Sequence, residues 1–342
     1  MRPLHALRAW LFAALALAAS VAGAGERVRA FAGESMGTTW SVQVVAPADV
    51  DDDTLRGAVE AEFAAIVAQM SAWEPDSDLA RFNAAPAGSR HALPAPLSDV
   101  LAYALALAEA TGGAFDPTVG ALTEAWGFGT GAPRTAPPSA EALAGARARV
   151  GWQRLDFDPA TGGATQPGGL LLDVNALVPG FAADRAGARL AALGATASLV
   201  EIGGEFRARG SKPDGSPWRI AVELPPDAHG VEGRRAAVVA LRDAAAGSSG
   251  DYRAYFEHAG RRYGHTLDPR TGEPVAHGLA AVTVLDAEAM HADAQAAAIM
   301  VLGPRAGWRW ARRQGLAALL VERRGDGFRV RTTPQFRRAL AR

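Results

Sequence analysis

Apolar positions recur with two different periods along this chain. In T-T-W-S-V-Q-V-V (38–45) polar and apolar residues alternate, the period of a strand with one covered face. From 55 to 70 the period changes. Leu55, Val59, Phe63, Ile66 and Met70 fall three or four residues apart, which predicts an amphipathic helix whose stripe belongs to the core. Asp51, Asp52, Asp53 and Thr54 offer its N-cap. Ser77 or Asp78 is placed to cap a short helix, and 98–110 predicts a second long one, closed by Gly112-Gly113. Residues 130–139, rich in Pro, Gly and Ala, read as a surface loop.

Strands are expected at 153–158 and 170–173, with a turn at 161–169 between them. A helix begins near Gly180, carries Phe181, Ala182, Arg185 and Leu190, and stops at Gly194. Residues 198–210 read as a buried strand running into a glycine turn at Gly203-Gly204, where the backbone can approach a ligand. Strands at 218–224 and 237–242 flank a loop at 225–233. Residues 247–274 read as one hairpin of two short strands turning at 258–261. A strand at 279–285 and an alanine-rich helix at 287–302, ended by Gly303, come next. Pro304 opens a last helix, and strands at 316–321 and 328–331 close a sheet. Strands mostly follow strands and helices cluster, so the fold class is α+β, with mostly antiparallel sheets flanked by helices.

Composition narrows the chemistry. The 342 residues carry a net charge of −1, which gives no general attraction to nucleic acid. There is no cysteine, which removes disulfides, thiolate catalysis, cysteine-ligated metal and a lipid anchor on cysteine. Lys212 is the single lysine. At the N-terminus Arg2 and Arg8 lead an apolar run over 9–21, followed by Ala22-Gly23-Ala24. This is the layout of a secretory signal peptide. It predicts cleavage after Ala24, a signal peptide at 1–24, one mature unit at 25–342, and a soluble periplasmic product.

Two places concentrate chemistry. Ser248, Ser249, Asp251, His265, Thr266, Asp268 and Arg270 crowd the 247–274 hairpin, more polar groups than a structural hairpin needs. Asp293 sits within an otherwise apolar helix, where a carboxylate is costly unless it is paired or binds metal. Glu201 and Glu205 flank the glycine turn, with solvent and a site equally open to them. His291 reads as a surface group or one supporting the site from behind.

The segments S-G-D-Y-R-x-Y-F (249–256) and H-x-x-D-P-R-T-G-x-P (265–274) resemble those of the ApbE-type FAD:protein FMN transferases. M-G-T-T-W (36–40), M-S-x-W-x-P-x-S-D-L-x-R-F-N (70–83), F-D-P-T-V-G-x-L (115–122) and V-E-I-G-G-E (200–205) follow the same family in the same order. The resemblance implies a two-lobed fold with the nucleotide between the lobes. It implies FAD as substrate, a Mg²⁺ cofactor, release of AMP, and FMN attached to a Thr or Ser of an acceptor protein. The acceptor expected is an exported domain of a membrane redox complex. Flavin-nucleotide contacts carry over to Met36, Trp73, Ala114, Phe115, Asp116, Asp173, Pro179 and Thr266. The cation falls to Asp293, the Ala176 carbonyl and the position of Ala297. Apart from the resemblance, His265 is the expected general base, because its ordinary pKa lies near operating pH, and Asp268 is placed to orient it. A non-catalytic FAD-binding protein and an FAD pyrophosphatase giving FMN and AMP remain the alternatives.

The chain departs from the family pattern in two places. Asn175 and Ala176 stand where the family has glycines, and Pro179 where it has a lysine. Ala297 stands four residues after Asp293, where the family has a Ser or Thr. Arg185, a turn into the helix, is one candidate to replace the missing charge.

Overall fold

The computed structural model describes residues 27–222, 224–225, 237–325 and 327–340. The expected signal peptide and most of the 225–233 loop lie outside these residues. The first part of the chain forms β1 (Arg29–Ser35), β2 (Thr38–Val45), α1 (Asp52–Met70), α2 (Asp78–Ala84), β3 (Arg90–Ala92), α3 (Ala95–Thr111), α4 (Gly120–Trp126) and α5 (Ala140–Arg147). The middle forms β4 (Asp156–Asp158), β5 (Gly163–Thr165), α6 (Val178–Ala192), β6 (Ala197–Ile202), β7 (Glu205–Arg209), β8 (Trp218–Ala221), β9 (Val238–Leu241) and β10 (Ala244–Gly250). Then come β11 (Tyr255–His258), β12 (Arg261–Gly264), β13 (Leu267–Asp268), β14 (Glu273–Pro274) and β15 (Leu279–Asp286). The chain closes with α7 (Ala289–Arg313), β16 (Ala317–Arg324), β17 (Gly327–Thr332) and α8 (Pro334–Ala339).

One antiparallel sheet in the order β1-β2-β6-β7-β10-β15-β16-β17 is the frame. Both of its faces are covered, and the alternation within strands shows how. Val282 and Val284 of β15 and Ala318 and Leu320 of β16 join the large core under α1, α6 and α7. Their neighbours Ala281, Leu285, Leu319 and Val321 pack on the other side with Trp218 and Ile220 of β8, Val239 and Leu241 of β9 and Phe336 of α8. A smaller cluster of Leu122, Trp126, Ala146 and Leu267 gathers α4, α5 and the β11–β12 hairpin. The α+β expectation holds, with helices flanking antiparallel strands.

Local chemistry explains the element ends. Asp51 caps α1 by accepting from the Thr54 N–H at 2.6 Å, and the predicted stripe is buried. Helix α3 starts three residues earlier than the spacing predicts, after Pro94, and ends at Gly112 with φ 62°. Gly303, at φ 77°, breaks α7 before Pro304, so the expected boundary falls where the backbone leaves the helical region.

Several expectations are corrected. The expected glycine turn at Gly203-Gly204 is present, but it closes a hairpin, so 198–210 holds two strands, β6 and β7. The 247–274 hairpin is three pieces. Residues 247–250 belong to β10 in the central sheet, β11–β12 is a separate ribbon, and the D-P-R-T-G turn closes β13–β14. At 170–173 only Leu171 bridges to Val119, and the expected turn at 161–169 contains β5. At 153–158 a 3-10 turn over Trp152–Arg154 precedes β4. Strand β1, helices α4 and α5, and helix α8 carry too short or too broken a pattern to be read from spacing.

Helix α7 lies unusually close to the sheet. A β-carbon at Gly247 in β10 would collide with the Asp293 backbone nitrogen, and one at Gly180 in α6 would collide with the Ala289 carbonyl. Ala292, Ala294, Ala296 and Ala298 keep the helix narrow at the same level. Gly247→Ala should therefore destabilise the protein by about 1–3 kcal/mol, the usual cost of overpacking. Chemical denaturation of the variant beside the wild type measures it.

Candidate active site

A cleft of about 870 Å³ opens between the helical face of the sheet and the small cluster. This is within the usual size of a ligand site. One wall is the Met36-Gly37 turn between β1 and β2, with Met36 at φ 52°, a backbone conformation uncommon for a side chain of that size. Ile66, Val67 and Met70 of α1 and Val301 of α7 add apolar surface. Ile66 and Met70 thus serve the core and the cleft at once, which helical spacing alone cannot distinguish. Trp73, 54% exposed, stands at the mouth. It also borders an adjoining pocket of about 260 Å³ with Asn83, Thr130 and Asp173.

Met36, Trp73, Ala114, Phe115, Asp116, Asp173, Ala176, Pro179, His265, Thr266, Asp293 and Ala297 all line this cleft. They come from loops and elements spread over most of the chain, so only the fold brings them together.

The acids differ in how they are held. Asp116 uses both oxygens to tie its loop. Oδ1 accepts from the Thr118 N–H at 2.8 Å and its hydroxyl at 2.7 Å, and Oδ2 accepts from the Trp152 N–H at 3.1 Å. Asp173 accepts from the Thr123 hydroxyl at 3.0 Å and the Asn175 N–H at 3.1 Å, and burial pushes its carboxyl upward. Asp293 is 6% exposed and accepts from the Gly180 N–H at 3.3 Å. Burial pushes its carboxyl up to about 8, against the pull of that N–H and of Arg253. Glu205, 3% exposed, accepts from the Ser248 N–H at 3.0 Å. Burial first, and then the Asp293 charge, push it well above the carboxylate range.

His265 follows β12 in a loop held by its own backbone. Its N–H donates to the Ala254 carbonyl at 3.0 Å, and Nδ1 lies 3.1 Å from the same oxygen. A carbonyl only accepts, so Nδ1 carries the proton and Nε2 keeps its lone pair. Enclosure by the cleft walls holds the imidazole below its ordinary value of 6.5, so it is neutral at neutral pH.

Two side chains stand elsewhere than expected. Asp268 does not orient His265. It forms a paired contact with Arg270 at 2.8 Å to each oxygen, and the Ala254 carbonyl does the orienting. Arg185 does not replace the missing lysine, because it reaches out to Glu62 at 3.3 Å and is absent from the cleft wall. Arg253 lines the cleft instead. It donates to the Gly203 carbonyl at 2.8 Å, and its charge acts on Asp293 and Glu205. It stands inside the quoted S-G-D-Y-R segment, but a turn residue in a sequence shows no direction. His291 lies off the cleft, stacked on Tyr103 at 4.0 Å between ring centres and 3.3 Å from Glu288.

The donor set suits a hard cation. Asp293 and Glu205 are buried carboxylates with no salt bridge among the described residues, which is oxygen chemistry seeking positive charge. Among the described residues no three His, Asp or Glu side chains form a ready-made metal cage. A cation shared with phosphate oxygens needs fewer protein ligands.

The sequence model of the ApbE family matches residues 36–320. The chain belongs to the ApbE family. It is 35% identical over 308 residues to the FAD:protein FMN transferase of Klebsiella pneumoniae strain 342, covering 89% of this chain and 87% of that one. It is 34% identical over 340 residues to the enzyme of the same description from Vibrio cholerae, covering 98% and 100%. The fold superposes on the apo crystal structure of Pseudomonas stutzeri flavinyl transferase ApbE with a TM-score of 0.85 at 42% identity, over 94% of this chain and 99% of that one.

Within this family member the Asp116 carboxylate carries a structural load that can be measured apart from any ligand. Asp116→Ala strands two N–H donors and a buried hydroxyl, and it should lower stability by about 1–3 kcal/mol. A thermal melt of the ligand-free variant checks this.

Proposed function

We propose that the chain takes FAD and transfers its FMN half to the hydroxyl of a Thr or Ser in an acceptor protein, releasing AMP. The observation that carries this reading is the presence, in one cleft of a family member, of a histidine whose Nδ1 is held by the Ala254 carbonyl and of a buried carboxylate, Asp293.

The chemistry follows from those groups. The acceptor oxygen forms a bond to the FMN phosphorus, the bond from that phosphorus to the bridging oxygen breaks, and AMP leaves with the electron pair. His265 Nε2 takes the hydroxyl proton, which suits a base whose value lies below neutrality. Arg253 supplies fixed positive charge to the cleft in the absence of a lysine at 179. Trp73 at the mouth offers a ring face to a flavin or adenine. Met36, Ala114, Phe115, Asp173, Pro179 and Thr266 form the remaining wall for the nucleotide. A divalent cation, Mg²⁺ in our reading, would be held by Asp293 and the Ala176 carbonyl, with Ala297 lining the same cleft. When bound, it neutralises pyrophosphate charge.

The location is part of the proposal. The apolar run and small-residue site at 9–24 support export and cleavage after Ala24, leaving 25–342 as a periplasmic enzyme. Among the described residues no helix is long and apolar enough to cross a membrane. The acceptor is then an exported domain, such as one belonging to a membrane redox complex.

Mass spectrometry of a co-expressed acceptor tests the reaction directly. Covalent FMN on a Thr or Ser is expected with the wild type, and flavin bound without transfer would instead support the non-catalytic reading that Pro179 and Ala297 favour. Free FMN and AMP without labelled acceptor would make the protein a pyrophosphatase.

The base has a pH signature. With the cation saturating, the contribution of the base should be full above about pH 6.5 and be lost as pH falls through the lowered value of His265. His265→Ala should reduce kcat by about 10²–10⁴-fold and remove that acidic limb. A limb that persists unchanged in the variant would assign it to another group.

Trp73 gives a separate binding test. Since it is 54% exposed, Trp73→Ala should leave stability within about 0.5 kcal/mol of wild type. FAD affinity should fall by about 1–3 kcal/mol if the ring stacks on the ligand. Calorimetric titration with FAD reads the second quantity, and unchanged affinity would remove Trp73 from the site.

A further inference from the structure

Glu205 and Asp293 reach the cleft from opposite directions yet arrive side by side. Ala246 pairs with Phe206 across β10 and β7, so Glu205 stands one step further along, beside Gly247. Gly247 is the residue whose backbone lies flush against Asp293 in α7. Ser248, next in β10, donates its N–H to Glu205 Oε2 at 3.0 Å. The Gly180 N–H binds Asp293 Oδ2 at 3.3 Å. Each carboxylate therefore has one oxygen fixed by a backbone donor. Among the described residues the other oxygen of each accepts no hydrogen bond.

Both side chains are more than nine-tenths buried, at 3% and 6% exposure, and both line the cleft. Two like charges so placed repel, and each raises the cost of burying the other. A structural role would be served as well by amides, which accept the same backbone N–H without the repulsion. The arrangement makes physical sense around positive charge, and among the described residues the pair has no salt bridge, although the Arg253 charge acts on both. One turn on from Asp293 in the same helix, Ala297 presents only a methyl group to the cleft.

We propose that Glu205 is a second carboxylate ligand of the cation held by Asp293, filling the place left by the absent hydroxyl at Ala297. This inference rests on the cation site proposed above. It adds a property that site would otherwise lack. Two carboxylates balance a divalent ion without help from phosphate, so the protein binds the cation before the nucleotide arrives.

The test is Mn²⁺ binding to the nucleotide-free full chain, followed by electron paramagnetic resonance of free Mn²⁺. Wild type is expected to bind one ion. Glu205→Gln, which keeps an acceptor for the Ser248 N–H, should weaken binding by at least about tenfold. Adding Ala297→Thr to Glu205→Gln should recover a large part of that loss. Binding by Glu205→Gln equal to wild type, with binding lost in Asp293→Asn, would overturn the role of Glu205 and leave the cation site standing. Binding by Asp293→Asn equal to wild type, or none by wild type, would remove the site and the inference with it. A wild-type crystal grown with Mn²⁺ needs no variant to fold. An anomalous peak with a Glu205 oxygen at ligand distance supports the proposal, and a peak on Asp293 with Glu205 out of reach overturns it.

Discussion

A charged side chain enters the interior here because a helix lies flush on a sheet. The α7 backbone meets β10 at Gly247 and α6 at Gly180, with alanines on either side of Asp293 holding the helix thin. That close approach puts the Asp293 carboxylate against the Gly180 N–H and within the field of Glu205. Larger residues at these glycines would lift the helix and let water reach the acid. Much of the cleft depends on this seat. β10 supplies Ser248 and Ser249, the Gly203-Gly204 turn supplies Glu205, and α6 opens beside Asp293 with Pro179. The small-residue content of these segments follows from the packing distance, and the chemistry follows from the burial it produces.

The sequence carried the long elements well. α1 and β2 have full stripes or alternations, and both stand within a residue or two of their predicted bounds. The misses share a physical cause. The turns at Gly203-Gly204 and 258–261 stand where the sequence puts them, but hydrophobicity does not show which sheet a strand joins, so 205–209 and 247–250 fall in the central sheet unforeseen. Elements such as α4 and β3 are too short to show a period. The cleft residues were identified by their resemblance to a family, because spacing places Met36 and Asp293 in no relation to each other. Glu205 stayed open between solvent and site for the same reason. Alternation in a strand gives a face, and only the sheet order shows that this face meets α7.

Charge compensation is where linear reasoning misleads most. Arg185 lies near Pro179 in sequence and on the same helix, but a side chain six residues on points to another face, and it pairs with Glu62. Arg253 lies more than seventy positions away and reaches the cleft because the loop after β10 turns back toward Gly203. A similar exchange affects the base. Asp268 is close to His265 in the chain and is committed to its own turn, while the carbonyl that fixes the imidazole belongs to Ala254 across the β11–β12 ribbon.

The two chemical ends of the cleft are thus held by different cores. Asp293 and Glu205 are fixed by the sheet and α7 within the large apolar cluster. His265 is carried by the ribbon that packs on Trp126 and Phe128, with Tyr263 and Phe256 stacked at 5.2 Å between ring centres. A backbone carbonyl sets the tautomer of the histidine, and backbone N–H groups hold one oxygen of each acid. Main-chain donors and acceptors are placed by the sheet and the helix themselves, so the orientation of all three groups is a property of the fold. Side chains decide only what charge is presented. Substitutions such as Pro179 and Ala297 are then tolerated structurally because they alter the inventory of charge and oxygen without disturbing the scaffold that aims it.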